Sequence, residues 1–156
     1  MKSIIITAAV IVLSINSVSA QKVKETEVPK SILTTFQTHF KDAKLEAWDK
    51  EKNGEYEAEF TINSAKMSAN FSADGKLMET EEEINPTSLP KMTTDYLSKN
   101  YTDNKIEKAT KITGPTGIIT FELETKKGNE KKELLFSSRG GFIKEVAETT
   151  TENRND

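Results

Sequence analysis

The chain has no cysteine, one histidine, one tryptophan, four prolines and only a slight excess of acid over base. Each scarcity excludes something. Without cysteine there is no disulfide, no thiolate metal site and no Cys-His nucleophile. A lipid anchor attached to a cysteine after an export signal is closed as well. Packing alone must hold the fold. A Ser-His-Asp triad would have to use His39, which lies between Thr38 and Phe40 in a predicted helix. No serine sits in a Gly-x-Ser-x-Gly turn, so His39 reads as a partly exposed residue near a helix C-terminus, where its charge suits the dipole. Gly114-Pro115-Thr116-Gly117 is a turn and not a phosphate loop, since no Gly-Lys-Ser/Thr follows. Lys and Arg number 22 against 25 Asp and Glu. That balance lacks the basic footprint that nucleic acid or an anionic membrane requires.

The one long apolar run is at the start. Lys2 is followed by a largely apolar stretch from Ile4 to Ile15, then by small residues at Val18-Ser19-Ala20. This is the pattern of a cleavable signal peptide over residues 1–20, cut before Gln21. A spanning helix needs about 20 apolar residues, and Ser14, Asn16 and Ser17 interrupt this stretch. The expected product is periplasmic or secreted, with no transmembrane segment once the signal is removed. Losing Lys2 leaves 21 basic against 25 acidic residues. Residues 21–27 read as a polar lead-in. Residues 148–156 hold no apolar side chain to bury and read as a disordered tail.

Between these ends the chain contains one unit twice. Val28-Pro29-Lys30 returns as Leu89-Pro90-Lys91. At the same offset Phe36 matches Leu97, Phe40 matches Tyr101, Asp42 matches Asp103 and Leu45 matches Ile106. The offset then grows by small insertions. Gly54-Glu-Tyr56-Glu-Ala58-Glu-Phe60 matches Gly117-Ile-Ile119-Thr-Phe121-Glu-Leu123, and Phe71 through Leu77 matches Phe136 through Phe142. Three blocks in one order point to duplication.

Each unit reads helix first, then strands. Pro29 and Pro90 suit a first helical turn. Ile32, Leu33, Phe36 and Phe40 recur at helical spacing, as do Met92, Tyr96, Leu97 and Tyr101. The strands alternate. Tyr56, Ala58, Phe60 and Ile62 fall on one face, and Glu55, Glu57, Glu59 and Thr61 on the other. A period of two gives one packed and one wet face. Asp74-Gly75 and Lys127-Gly128-Asn129 are hairpin signals. The expected fold is α+β: two tandem repeats, 28–84 and 89–147, each one helix packed on a three- to four-stranded antiparallel sheet. Residues 85–88 form a linker too short for independent movement.

These residues resemble the PepSY-like group of exported bacterial domains, also described as beta-lactamase-inhibitor-like. The pattern is Val28-Pro29, Phe36 and Phe40, Trp48, Gly54-Glu55-Tyr56 and Phe71-x-x-Asp74-Gly75-x-Leu77, followed by a second Leu89-Pro90 unit. It covers nearly all of 28–146. The resemblance implies tandem helix-on-sheet units and a non-catalytic binding or inhibitory role outside the cytoplasm. It carries no ligand, since its motifs are packing and turn residues. The second unit departs from it, with Ala109 near the place of Trp48 and Arg139 in that of Asp74.

Trp48 is the candidate partner-binding residue, because tryptophan is enriched at binding hot spots. The turn at Asn53-Gly54 decides its face. A two-residue turn sets Trp48 opposite Glu59, on the wet face. A three-residue loop, Lys52-Asn53-Gly54, sets it opposite Ala58 and in the core. Leaving so large a ring in water forgoes about 2–3 kcal/mol of burial, which favours the core. Glu79, Glu81, Glu82 and Glu83 form the densest acidic run and read as a solvated sheet edge. They lack the spaced ligands of a calcium loop. No catalytic set, metal site or cofactor site assembles from the sequence. The favoured function is a non-catalytic exported module that binds or inhibits a protein or peptide in the cell envelope. It would use the wet sheet face or the seam between repeats. The alternatives are a carboxylate-dependent hydrolase of glycan or peptide, and an envelope scaffold with no single ligand.

Overall fold

The structure, a computed structural model, describes residues 21–146. The expected signal peptide and C-terminal tail lie outside them. The order of elements is β1 (Gln21–Val23), α1 (Lys30–His39), β2 (Lys44–Lys50), β3 (Tyr56–Ile62), β4 (Ala65–Phe71), β5 (Leu77–Glu83), α2 (Lys91–Asn100), β6 (Lys105–Thr113), β7 (Ile119–Lys127), β8 (Glu130–Ser137) and β9 (Phe142–Val146). Short 3₁₀ turns at Glu25–Glu27 and Pro86–Ser88 precede the two helices. The polar lead-in thus adds a strand, with Val23 paired to Trp48. All nine strands form one antiparallel sheet in sequence order. β5 and β6 join the repeats, from Thr80 opposite Thr113 to Glu83 opposite Thr110.

The two helices share a design. Pro29 and Pro90 stand at the N-cap with nearly the same backbone angles, and neither helix has a side-chain cap. Gly75 and Gly140 make the second close contact. Both have positive φ, at +92° and +86°. A Cβ on Gly75 would lie 2.7 Å from Ser31 Cβ, and one on Gly140 would lie 2.8 Å from Thr93 Oγ1. Each β-turn is therefore pressed against the first turn of its helix. Thr35 Oγ1 donates to the Gly75 carbonyl at 2.7 Å, which ties α1 to the β4–β5 turn.

Pairing shows that both helices cover the same face. Trp48, Ala58, Ala69, Thr80, Thr113 and Ile119 run across six strands in one row. Successive partners in a sheet point the same way, and Ile119, Phe121 and Leu123 continue that face along β7. Under α1, Ile32 and Phe36 pack on Trp48, Tyr56, Ala58, Phe60, Ala69 and Phe71. Under α2, Leu97 packs on Ala109, Phe121, Leu123, Leu134 and Phe136. Among the described residues the opposite face carries no helix.

The register at Asn53-Gly54 follows the three-residue loop. The Glu51 N–H donates to the Glu55 carbonyl, Gly54 takes φ +86°, and Trp48 pairs with Ala58. Trp48 is 3% exposed and edge-on to Phe36, with centroids 5.4 Å apart. Its Nε1 is buried with no hydrogen-bond partner.

One point of the repeat alignment shifts. β6 and β7 are nine residues each, against seven for β2 and β3. The turns still correspond, Gly54 with Gly117. Beyond them Ala109 pairs with Leu123 as Trp48 pairs with Ala58. Ala58 therefore corresponds to Leu123, two residues past the sequence match, and a shift of two keeps every side chain on its face. The comparison explains the lone tryptophan. The first repeat stacks Trp48–Ala58–Ala69 across three strands, and the second stacks Ala109–Leu123–Leu134. One large ring beside two small residues is exchanged for one small residue beside two leucines.

Trp48→Ala should lower stability by about 3–5 kcal/mol, the usual cost of emptying an aromatic core site. Adding Ala58→Leu and Ala69→Leu should recover a large part of it. Urea denaturation of the single and triple variants measures both. A triple variant no more stable than Trp48→Ala would contradict the exchange.

Candidate helix-free acidic face

The bare face is built from the outward residues of each strand. β3 supplies Glu57 and Glu59, β4 supplies Ser68 and Asn70, and β5 supplies Glu79, Glu81 and Glu83. Together they floor a groove of about 760 Å³ whose lining contains eight glutamates and three lysines. β6 adds Lys108 and Thr110, β7 adds Glu122 and Glu124, and β8 adds Glu133 and Leu135. The acidic run at 79–83 is not an edge. β5 is the fifth of nine strands and is paired on both sides, so its outward carboxyls stand in the middle of the face. Reading it as an edge failed because the pairing of β5 with β6 joins two repeats.

The two halves of this face treat charge differently. In the second repeat Lys108 lies 3.9 Å from Glu124, and Glu107 lies 3.6 Å from Lys126 and 3.2 Å from Lys131. Among the described residues, no Lys or Arg nitrogen stands within 4.0 Å of Glu57, Glu59, Glu79 or Glu81. Their neighbours are weaker donors. Asn70 Nδ2 donates to Glu79 at 3.3 Å. Ser68 hydrogen-bonds Glu57.

Unneutralised and partly buried, Glu57, Glu79 and Glu81 hold protons more tightly than free carboxyls do. Burial pushes Glu81 up to about 7, helped by the charges of Glu79 and Glu57 and opposed by Lys108. Burial likewise raises Glu57 and Glu79 above the usual carboxylate range. Glu122 is 6% exposed. Burial raises it well above that range too, and a hydrogen bond with the Glu133 carboxyl and the Glu133 charge raise it further.

Other candidates fall elsewhere. Trp48 is in the core under α1, so its ring presents no surface to a partner. His39 is exposed on α1, its Nδ1 2.9 Å from the Thr35 carbonyl. Among the described residues, no three His, Cys, Asp or Glu side chains are placed to hold a metal ion. No described helix is long and apolar enough to cross a membrane. The convergence of Glu81, Glu122 and Glu133 from three strands escaped the sequence reading. Its one trace was that glutamates occupy the outward positions of several strands.

Residues 16–62 and 54–144 each match the family described as "Putative beta-lactamase-inhibitor-like, PepSY-like". Solved structures share the fold. A DUF2874 family protein from Bacteroides uniformis superposes with a TM-score of 0.71 at 17% identity, covering 80% of this chain and 93% of that one. A BLIP-like protein from Bacteroides fragilis gives 0.67 at 20% identity, covering 81% and 91%. A protein from Bacteroides eggerthii, described among "putative periplasmic proteins", gives 0.70 at 17% identity, covering 76% and 88%. No curated protein matches the chain at a significant level.

The raised carboxyls fix the sign of a pH dependence. From about pH 5 to beyond neutrality the folded chain holds more protons than the unfolded one, so stability falls as pH rises. The lowered carboxyls Asp74, Glu107 and Glu145 complete their opposite effect below that window. The melting temperature should therefore drop by several degrees between pH 5.5 and 8.5. Glu122→Gln, neutral throughout, should flatten the slope and stabilise the chain at pH 8.5 by about 1–2 kcal/mol, since one pKa unit is worth roughly 1.4 kcal/mol. Thermal melts across that range test this, and a flat wild-type profile would refute it.

Proposed function

We propose that this chain, which belongs to the beta-lactamase-inhibitor-like, PepSY-like family, acts outside the cytoplasm as a non-catalytic module. It holds a protein or peptide on the helix-free face of its sheet. The groove with eight glutamates against three lysines carries the reading. Carboxylates without internal partners supply charge that a lysine- or arginine-bearing surface would complement, and such complementarity favours encounter and register. The fold shared with a BLIP-like protein supports a protein as occupant. The fold shared with a protein described as periplasmic, together with the expected signal peptide, supports a place in the envelope.

The hydrolase alternative gains nothing here. Glycoside hydrolysis needs one neutral and one ionised carboxyl about 5–9.5 Å apart, with the sugar between them. No observation among the described residues assigns those two roles to a pair of carboxyls on this face.

The test is a capture experiment on envelope extract, paired with inhibition assays on beta-lactamases and proteases. Glu59→Lys and Glu81→Lys, on the bare face, should reduce capture of the partner at least tenfold. Gln37→Lys, on the exposed side of α1, should leave it unchanged. Equal capture by all three, or loss only with Gln37→Lys, would reject this face.

A further inference from the structure

On the helix side the two repeats differ at a second place, and there volume is lost without exchange. Leu45 pairs with Phe60 beside the β2 bulge, and Ile106 pairs with Thr125 beside the matching bulge of β6. One strand further, Phe60 pairs with Met67 and Thr125 with Lys132. From the helices above, Leu97 stands where the first repeat has Phe36, and Thr94 where it has Leu33. Ile106 is no larger than Leu45, so no apolar neighbour in the row compensates. The first repeat fills this place with a ring. Phe60 is 1% exposed, its centroid 5.2 Å from that of Phe36 and 4.7 Å from that of Phe40. In the second repeat the same place is a cleft of about 360 Å³, lined by Leu97, Ile106, Thr125 and Tyr101. Tyr101 is held to one side, its hydroxyl donating to Glu145 at 2.8 Å.

The lining asks for an apolar, uncharged occupant. The Thr125 hydroxyl already donates to the Lys132 carbonyl at 3.3 Å. Asp103, the one charged residue in the lining, is paired with Lys127 at 3.1 Å. Leu97 and Ile106 supply apolar surface that gains contacts from any group of matching shape, and the volume is that of a small ligand site. The duplication identifies the shape, since the equivalent place holds a benzyl group carried on a chain.

We propose that this cleft receives the side-chain ring of a phenylalanine from a partner peptide, seated as Phe60 is seated in the first repeat. The cleft opens past Ser98 and Thr102, both exposed, and past Asn104. Their hydroxyl and amide groups can hydrogen-bond a peptide backbone at the mouth, which favours a ring on a chain over a free ring. The cleft lies on the opposite side of the sheet from the acidic face, and stands whether or not that face docks a partner.

Carbon-13 methyl NMR of the full chain, titrated with N-acetylphenylalanine N-methylamide, tests this. The methyl signals of Leu97, Ile106 and Thr125 should shift saturably. Those of Leu33 and Leu45, at the filled place in the first repeat, should not. The alanine analogue should bind about tenfold more weakly or worse, having no ring to bury. Thr125→Phe should abolish the shifts at Leu97 and Ile106 and raise the melting temperature, because it fills empty space. Leu97→Phe fills the cleft from the helix instead, and should weaken binding several-fold; it decides the matter if Thr125→Phe does not fold. Absence of saturable shifts in the unsubstituted chain, equal binding of the alanine analogue, or undiminished binding to Leu97→Phe would each overturn the proposal. Toluene shifting the same methyls while the phenylalanine probe does not would assign the cleft to a free ring and overturn the peptide occupant. None of these outcomes bears on the acidic face.

Discussion

The pleat of the β-strand governs this protein. Successive side chains leave a strand on opposite faces, and the alternation runs from strand to strand except at four bulges. The β6–β7 hairpin is lengthened by two residues per strand, so nothing changes face. Irregularities fall at matching places in both repeats, between Leu45 and Ala47 and between Ile106 and Lys108. A second pair lies between Asn70 and Phe71 and between Leu135 and Phe136. Because parity holds across the β5–β6 junction, both helices land on one side and the glutamates accumulate on the other. Each of these irregularities inserts one residue and so resets the alternation locally, which keeps Leu45 and Trp48 in β2, and Ile106 and Ala109 in β6, on the helix side although they are three apart.

That constraint also shows what the sequence could reveal. Period-two and helical patterns are local, so both helices, the alternating strands and the turns at Gly75 and Gly128 were legible from spacing. The duplication was legible because helix starts and turns tolerate few residue types. What stayed hidden depends on pairing. The face of Trp48 turned on whether Asn53-Gly54 closes a two- or a three-residue loop, and Asn-Gly suits both. The place of Glu79–Glu83 turned on β5 finding β6 across a linker, which no local pattern encodes. The partnership of Glu122 with Glu133 and Glu81 required both registers at once.

The two repeats have diverged in complementary ways. On the helix side the divergence is in volume, as the exchange of Trp48–Ala58–Ala69 for Ala109–Leu123–Leu134 shows. Close packing demands such compensation, because a core tolerates neither a void nor an extra ring. Tryptophan in the first repeat is accounted for by filling space, and its burial removes it from any contact surface. On the bare side the divergence is in charge. Lysines neutralise the second repeat's carboxylates at Glu107 and Glu124, and among the described residues none stands within 4.0 Å of Glu57, Glu59, Glu79 or Glu81. Nothing in the packing of α1 or α2 requires this asymmetry, since these residues face away from both helices.

An asymmetry that folding does not require, and that costs stability at neutral pH, calls for another cause. Unpaired charge on a half-buried surface is expensive, and a protein can relieve it in two ways. It can keep the groups protonated, as the raised Glu81 and Glu122 do, or it can admit a cation from outside. The first relief is available to the free chain and the second only to a complex. The raised carboxyls of Glu57, Glu79 and Glu81 therefore cost stability as pH rises, and the packing of α1 and α2 supplies no reason for that cost.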